Sequence, residues 1–288
     1  MFLSVIIPLY NKEKGITKTI ESILHQQFMD YEVIIIDDGS TDKSIEMASV
    51  FADKRIKIFS QNNAGPSAAR NKGVKIAKGD WVVFIDADDE FTTGALEHYY
   101  SLSKKYININ CFVCNHYLEF GGKQRIRSSY YPDRLLKNSF RSWFFNLLQP
   151  CQGAVMLKRS VALTHPYPEG IRRWEDAAMM FDVMRDEQIF RSHKPVFIYH
   201  REMSAGSKPL KDISLDFYGH LNPKGKSFWE KMCLYKMYRD AKRIYPGTMS
   251  LLYSRRFTSI DVRFAYQICS FCISLIVETK QRFFKLVK

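Results

Sequence analysis

An α/β fold with an open, mostly parallel sheet flanked by helices is what this 288-residue sequence predicts, on three observations. Short runs rich in β-branched residues recur at Ser4-Val-Ile-Ile-Pro-Leu, Val33-Ile-Ile-Ile, Ile56-Lys-Ile-Phe and Trp81-Val-Val-Phe-Ile, starting 29, 23 and 25 residues apart. The gaps between them carry apolar residues at helical spacing, and strands alternating with helices at this period build βαβ units and a parallel sheet. Polar residues gather just after three of the four runs, at Tyr10-Asn11, Asp37-Asp38-Gly39-Ser40 and Asp86-Ala87-Asp88-Asp89. The carboxyl ends of the strands in such a sheet lie along one edge, so these loops converge on one crevice, where ligands bind. Asp and Gly also end strands for local reasons, but three such loops at corresponding positions favour the crevice.

The elements follow in order. Met1-Phe-Leu-Ser-Val-Ile-Ile-Pro lacks a basic leader and breaks at Pro8, so it reads as a strand and not as a signal peptide. Ile16, Ile20, Ile23 and Leu24 set a first helix; Ile45, Ala48, Phe51 and Ala52 set a second, which Asp42 is placed to open; Ala68, Ala69, Lys72 and Ile76 set a third. Beyond residue 100 the rhythm weakens. A helix is expected over 96–102, a strand over 111–120 ending at Gly121-Gly122, an aromatic-rich helix over 140–148 and a strand over 153–158. Residues 166–170 read as a loop, and a helix starts at 177 after Glu175-Asp176.

Composition sets the outer bounds. An apolar content of 46% with 14% aromatics fills a real core and excludes a disordered tail or a small disulfide scaffold. The net charge of +13 is unevenly placed: residues 1–100 carry −4, residues 101–200 carry +7 and residues 201–288 carry +10. Cys111-Phe-Val-Cys114 and Cys269-Ser-Phe-Cys272 resemble metal-ligand spacings. They sit in apolar runs without the turn of a zinc knuckle, so buried thiols in a reducing compartment are expected. No apolar run reaches the roughly 18–20 residues that span a bilayer.

The crevice has its own chemistry. The turn after the first strand, Pro8-Leu-Tyr-Asn-Lys-Glu-Lys-Gly15, has no G-x-G-x-x-G, and no P-loop occurs anywhere, so a Rossmann dinucleotide site and a P-loop nucleotidase are both excluded. An acidic crevice that holds a diphosphate needs a divalent cation to screen like charge. Asp86-Ala87-Asp88, directly after a buried strand, supplies the hard oxygen ligands that Mg²⁺ or Mn²⁺ takes beside phosphate.

Val5-Ile-Ile-Pro-Leu-Tyr-Asn11, Ile36-Asp-Asp-Gly-Ser-Thr-Asp42, Asn63-Ala-Gly-Pro-Ser-Ala-Ala-Arg-Asn-Lys-Gly73 and Phe84-Ile-Asp-Ala-Asp-Asp89 resemble, in wording, order and spacing, the consecutive motifs of family 2 inverting glycosyltransferases with the GT-A fold. Gly153-Ala-Val-Met-Leu-Lys-Arg159 and Pro168-Glu-Gly-Ile-Arg-Arg-Trp-Glu-Asp176 are similar to the family's acceptor-side strand and its Glu-Asp motif, and Tyr199-His-Arg-Glu-Met-Ser-Ala-Gly-Ser207 is a looser match to its post-catalytic loop. The resemblance covers residues 1–207. It implies a nucleotide-sugar half over 1–100, an acceptor half over 101–207, and a nucleotide-sugar donor, UDP-linked by preference.

Carried over by position, the resemblance implies that Pro8 and Tyr10 shape the base pocket and that Asp37 or Asp38 bonds the uracil or ribose. Arg70 also reaches the nucleotide, Asp86 contacts the ribose beside Ala87, and Asp88 holds the metal. A solvated helix face is the alternative for Arg70. Asp176 is the implied base, since attack by a sugar hydroxyl needs a carboxylate within reach; Glu175 is its rival and an N-cap role its non-catalytic alternative. Trp174 stacks on an acceptor sugar or belongs to the core, and Arg201 and Ser204 close over the diphosphate or belong to a plain surface loop. A single displacement by one base inverts the anomeric centre.

Residues 208–288 lie beyond the resemblance and read as a basic, amphipathic helical extension. Lys224 to Arg243 alternates basic and aromatic residues; Arg263, Gln267, Ser270, Ser274 and Glu278 draw a narrow polar stripe; the tail from Lys280 is basic with aromatics. Such a segment suits an anionic membrane surface, which places the enzyme in the cytoplasm as a peripheral membrane protein. Packing against the catalytic domain or against a second copy in a homo-oligomer are the alternatives. Nucleic acid is not expected, since no recognition motif accompanies the charge. The expected function is sugar transfer to a glycan or lipid-linked glycan of a surface polysaccharide or lipopolysaccharide. The competing reading is a non-catalytic nucleotide-sugar or glycan-binding module on the same fold.

Overall fold

The computed structural model describes residues 1–127, 132–200, 210–245, 247–249, 262, 265–267 and 269. The predicted alternation is present over the first hundred residues. In order come β1 (Leu3–Leu9), α1 (Ile16–Leu24), β2 (Tyr31–Asp37), α2 (Ser44–Ser49), β3 (Ile56–Ser60), α3 (Pro66–Ile76) and β4 (Trp81–Phe84). A short β5 (Glu90–Phe91), α4 (Ala95–Lys105), β6 (Cys111–Phe120), β7 (Lys123–Ile126), β8 (Arg134–Leu135) and α5 (Ser139–Phe144) follow. The run continues with β9 (Val155–Lys158), α6 (Arg159–Thr164), α7 (Glu175–Asp186), β10 (Ile189–His200) and, after two single 3-10 turns, α8 (Phe228–Ile244).

Among the described residues the strands form one sheet of order β3-β2-β1-β4-β9-β6-β10-β5, with β7 on β6 and β8 on β10. The long ladders are parallel, β1 with β2 and β4, β2 with β3, and β6 with β10, while β9 runs antiparallel between β4 and β6. β1, β2 and β4 are buried along nearly their whole length, which is why they read as continuous apolar runs with no alternation. α3 packs so closely on β1 that a Cβ at Gly73 would come 2.4 Å from Ile6 Cγ2.

Some expectations need correction. The aromatic helix expected over 140–148 is only α5, since Asn146 turns into the left-handed region. β10 had no counterpart in the sequence reading, because Ser192, His193, Lys194 and Pro195 break its apolar pattern where the register against β6 shifts. Cys111 and Cys114 are separate buried thiols on β6. No group of His, Cys, Asp and Glu able to hold a metal by itself occurs among the described residues.

Two compact units divide the chain: Met1–Ser139 with Leu148–Phe217, and Phe140–Leu147 with Tyr218–Lys288. The first carries the sheet. In the second, Ser227 caps α8 by accepting from Glu230 N–H at 3.3 Å, and Lys236 donates to Phe144 O and Asn146 Oδ1 at 3.0 and 2.8 Å. Arg239, Lys242 and Arg243 remain exposed on α8. Of the expected polar stripe only Gln267 is described, in helical conformation; Arg263, Ser270, Ser274, Glu278 and the basic tail, together with Arg201 and Ser204, lie outside the described residues. No helix among the described residues is long and apolar enough to cross a membrane.

Candidate active site

Strand register brings the loops together. Leu9 pairs with Asp37, Asp38 N–H donates to Leu9 O at 2.8 Å, and Ile85 N–H donates to Ile6 O at 3.1 Å, so β1, β2 and β4 end side by side. Asp37 is buried and closes its own loop, accepting from Gly39 and Ser40 N–H. Asp38, also buried, accepts from Gln61 Nε2 and Ala64 N–H on one oxygen and from Gly65 N–H on the other, each at 2.8 Å. These bonds hold the segment that leads into α3. Asn11 takes a left-handed backbone, and its side chain accepts from Thr41 N–H, tying the first loop to the second. Tyr10, 47% exposed, stands at the rim.

The loop after β4 packs three carboxylates into four residues. Asp89 is buried and accepts from His200 N–H at 3.0 Å; burial, with Asp86 and Asp88 beside it, pushes its carboxyl well above the usual range. Asp88 is 7% exposed and raised by burial and by Asp86, against the opposing ion pair with Lys12. The turn that carries Lys12 abuts this loop: a Cβ at Gly15 would lie 2.7 Å from Ala87 O and 2.8 Å from Asp88 Cα. Asp88 offers hard carboxylate oxygens on the cleft wall. Mg²⁺ and Mn²⁺ ordinarily take one or two carboxylates and complete their shell with phosphate and water, so this donor set fits an ion that arrives with a diphosphate.

Arg70 joins the two sides of the crevice. Only 3% exposed, it donates from Nη1 to Glu175 Oε1 at 2.9 Å and from Nη2 to Asp86 Oδ1 at 2.8 Å, with Tyr167 stacked at 5.1 Å. The solvated-face alternative for this residue fails, and the buried face of α3 is Ser67, Ala69, Arg70, Asn71, Gly73 and Val74. Asn71 exchanges two hydrogen bonds with the backbone of Tyr167, 2.9 Å each way, and so pins the loop before α7.

α7 starts abruptly. Trp174 stands at its N-cap in the left-handed region, φ 61°, a strained conformation for a bulky residue. A strap holds it: Arg172 N–H donates to Leu215 O, Phe217 N–H to Arg173 O, and Arg173 pairs with the fully buried Asp216 at 3.2 Å. Glu175 and Asp176 therefore sit in the first turn of α7, and Asp176 is not its N-cap. The Asp176 carboxyl is pushed up to about 7 by burial and by Glu175 and Asp86, against the Ala177 N–H bond at 2.7 Å and the Arg70 charge. A carboxylate with that value is suited to accept a proton near neutral pH. Trp174 is 40% exposed, so it is not a core residue.

A cleft of about 420 Å³ results, walled by Pro8, Tyr10, Lys12, Asp38, Arg70, Asp86, Ala87, Asp88, Arg172, Arg173, Glu175 and Tyr199 among others. Of the residues expected from sequence, Pro8, Tyr10, Asp38, Arg70, Asp86, Ala87, Asp88 and Glu175 share this wall; Asp37, Trp174 and Asp176 adjoin it in the chain. Lys12, Tyr167, Arg173 and Asp216 were not singled out. Lys12 sits in a turn with Glu13 and Lys14, where no local pattern distinguishes it, and Asp216 lies beyond the span of the resemblance.

Comparison with known proteins agrees with this geometry. The family model described as Glycosyl transferase family 2 matches residues 4–164. A protein of Rickettsia felis described as an uncharacterized glycosyltransferase is 34% identical over 193 residues, 65% of this chain and 31% of that protein, so the chain spans about a third of that relative's length. Glycosyltransferase GlyG of Streptococcus pneumoniae is 26% identical over 226 residues, 74% of this chain and 75% of that protein. The crystal structure of S. aureus TarS 1-349 in complex with UDP-GlcNAc superposes with a TM-score of 0.72 at 19% identity, covering 92% of this chain and 78% of that one. The likeness to TarS establishes the GT-A fold.

Proposed function

The chain belongs to glycosyl transferase family 2, and on that premise we propose that it is an inverting glycosyltransferase that moves a sugar from a UDP-linked donor to a hydroxyl of a glycan or lipid-linked glycan. The observation that carries this reading is Asp176, a carboxyl raised to about 7, joined through Glu175 and Arg70 to Asp86 on the cleft wall. Pro8, Tyr10 and Asp38 line the part of the cleft that takes the nucleoside, and Asp86, half open to it, accepts from ribose hydroxyls. The hydrogen bonds of Asp37 and Asp38 to backbone N–H groups hold that wall in place before the donor arrives. A Mg²⁺ or Mn²⁺ ion held by Asp88 would screen the departing diphosphate.

Asp176 takes the proton of the attacking hydroxyl as that oxygen approaches the anomeric carbon opposite the leaving group. One displacement by one base inverts the centre, giving a β-linked product from an α-linked donor. Trp174, exposed and fixed beside the base, offers its face to an acceptor sugar. The exposed basic residues of α8 suit the anionic cytoplasmic face of a membrane, where lipid-linked acceptors lie. That TarS was crystallised with UDP-GlcNAc supports a UDP-linked donor, and a surface polysaccharide or lipopolysaccharide is the product class that the family membership favours.

A donor screen reading UDP release with Mn²⁺ tests the assignment. Release is expected with at least one UDP-sugar, greatly reduced in Asp88→Ala and Asp176→Asn, with the product anomer inverted by NMR. Activity that survives both substitutions, or a retained anomer, overturns it.

A further inference from the structure

Lys12 is a side chain of the cleft wall that the proposed reaction leaves without a role. Crowding three carboxylates into four residues, with Asp88 and Asp89 buried, is costly unless each is compensated. Arg70 serves Asp86, the His200 N–H serves Asp89, and Lys12 forms the ion pair with Asp88. The main chain of Lys12 is fixed: its N–H donates to Ser44 Oγ at 2.7 Å, and its carbonyl accepts from Gly15 and Ile16 N–H at 3.0 Å each. Its side chain keeps 26% exposure and a flexible four-carbon stem, so the ammonium is tethered to the turn but able to leave the carboxylate.

The Asp88 carboxylate that fits a divalent cation is therefore held by a cation that belongs to the chain. An ammonium and a divalent ion in contact with one carboxylate repel each other, and a free ion in solution brings no anion to receive the displaced ammonium. A nucleoside diphosphate brings one.

We propose that Lys12 is a displaceable counter-ion that closes Asp88 to free divalent cations and yields it to a cation accompanied by a nucleoside diphosphate, so that metal binding depends on donor binding. This rests on the reading of the cleft as a UDP-sugar site. By reciprocity, the factor by which the nucleotide tightens metal binding is the factor by which the metal tightens the nucleotide.

The test is Mn²⁺ binding to the full chain, read from the loss of the free-ion EPR signal, with and without UDP. UDP is expected to tighten Mn²⁺ at least tenfold in the unsubstituted protein. Lys12→Met is expected to bind Mn²⁺ without UDP at least tenfold more tightly than the unsubstituted protein, with the effect of UDP reduced below about threefold. Lys12→Gln gives a second route to the same result, and circular dichroism checks that both variants are folded. Lys18→Met controls for loss of a nearby charge, since Lys18 lines a hollow beside Asp88 but makes no ion pair with it; it is expected to change Mn²⁺ binding less than twofold. Unchanged Mn²⁺ affinity in both Lys12 variants, equal tightening in Lys18→Met, or tight Mn²⁺ binding by the unsubstituted protein without UDP each overturns the proposal. Failure of the unsubstituted protein to bind UDP, read by calorimetry, overturns the donor-site reading instead, and absence of Mn²⁺ binding in every arm while UDP binds overturns the proposal alone.

Discussion

The loop after β2 and the facing pair formed by the loop after β4 and the start of α7 use the same residue type in opposite ways. Asp37 and Asp38 are buried, and both are met by backbone N–H groups of their own loop or of the segment entering α3. Asp88 and Asp89 are also buried and Asp176 is partly so, but they stand beside other carboxylates, Asp88 and Asp89 beside Asp86 and Asp176 beside Glu175 and Asp86, and are pushed upward by desolvation and like charge. A buried carboxylate supplied with N–H donors is a structural anion. One crowded by other carboxylates is a group held ready to exchange a proton or bind a cation. The difference lies in what surrounds the carboxylate, since burial is common to both.

The largest effect should separate the two sets by kind. Asp176→Asn is expected to lower kcat for UDP release roughly thousandfold, within the usual range for removing a general base, and to leave folding intact. Asp38→Ala should do the reverse in emphasis: it deletes the acceptor of the Gln61 side chain, of the Ala64 N–H and of the buried Gly65 N–H and should cost about 3 kcal/mol in urea unfolding. Equal activity losses with no change in stability would remove the distinction.

The pH dependence sharpens the same contrast. Since Asp176 must be ionised to act, kcat/KM should rise with pH through about 7 and then level. Its effect on stability has the opposite sign. The carboxyl is raised in the folded protein, so between about 4 and 7 the folded chain binds more protons than the unfolded chain, and stability falls as pH rises through that window. Asp176→Asn should remove part of that fall and give a higher Tm at pH 8 than the unsubstituted protein. The smallest effect is expected from Gln61→Ala, which deletes one of the three bonds to Asp38 at 2.8 Å and should cost about 1 kcal/mol.

How much of this was legible in sequence follows from the same physics. β1, β2 and β4 are buried on both faces, so their apolar runs stand out, and their shared carboxyl edge places Tyr10, Asp38, Asp86 and Asp88 together from the pattern alone. β10 was hidden because a polar, proline-containing bulge interrupts it. The Arg70 bridge was hidden for another reason: α3 buries a polar face, and a periodicity argument looks for apolar ones. Trp174 could be seen as a candidate, but its left-handed backbone depends on Asp216, some forty residues away, and no local pattern carries that dependence.

The close approach of α3 to β1 has an evolutionary corollary. A methyl group at position 73 would overlap the branch of Ile6, so the two positions form one steric unit in which a larger residue on the helix demands a smaller one on the strand. Because Arg70 and Asn71 ride on the same helix, any drift that pushed α3 outward would also withdraw the guanidinium from Asp86 and Glu175. The absent side chain at 73 thus fixes the reach of the charge three residues before it, and related sequences should show 6 and 73 changing together or not at all.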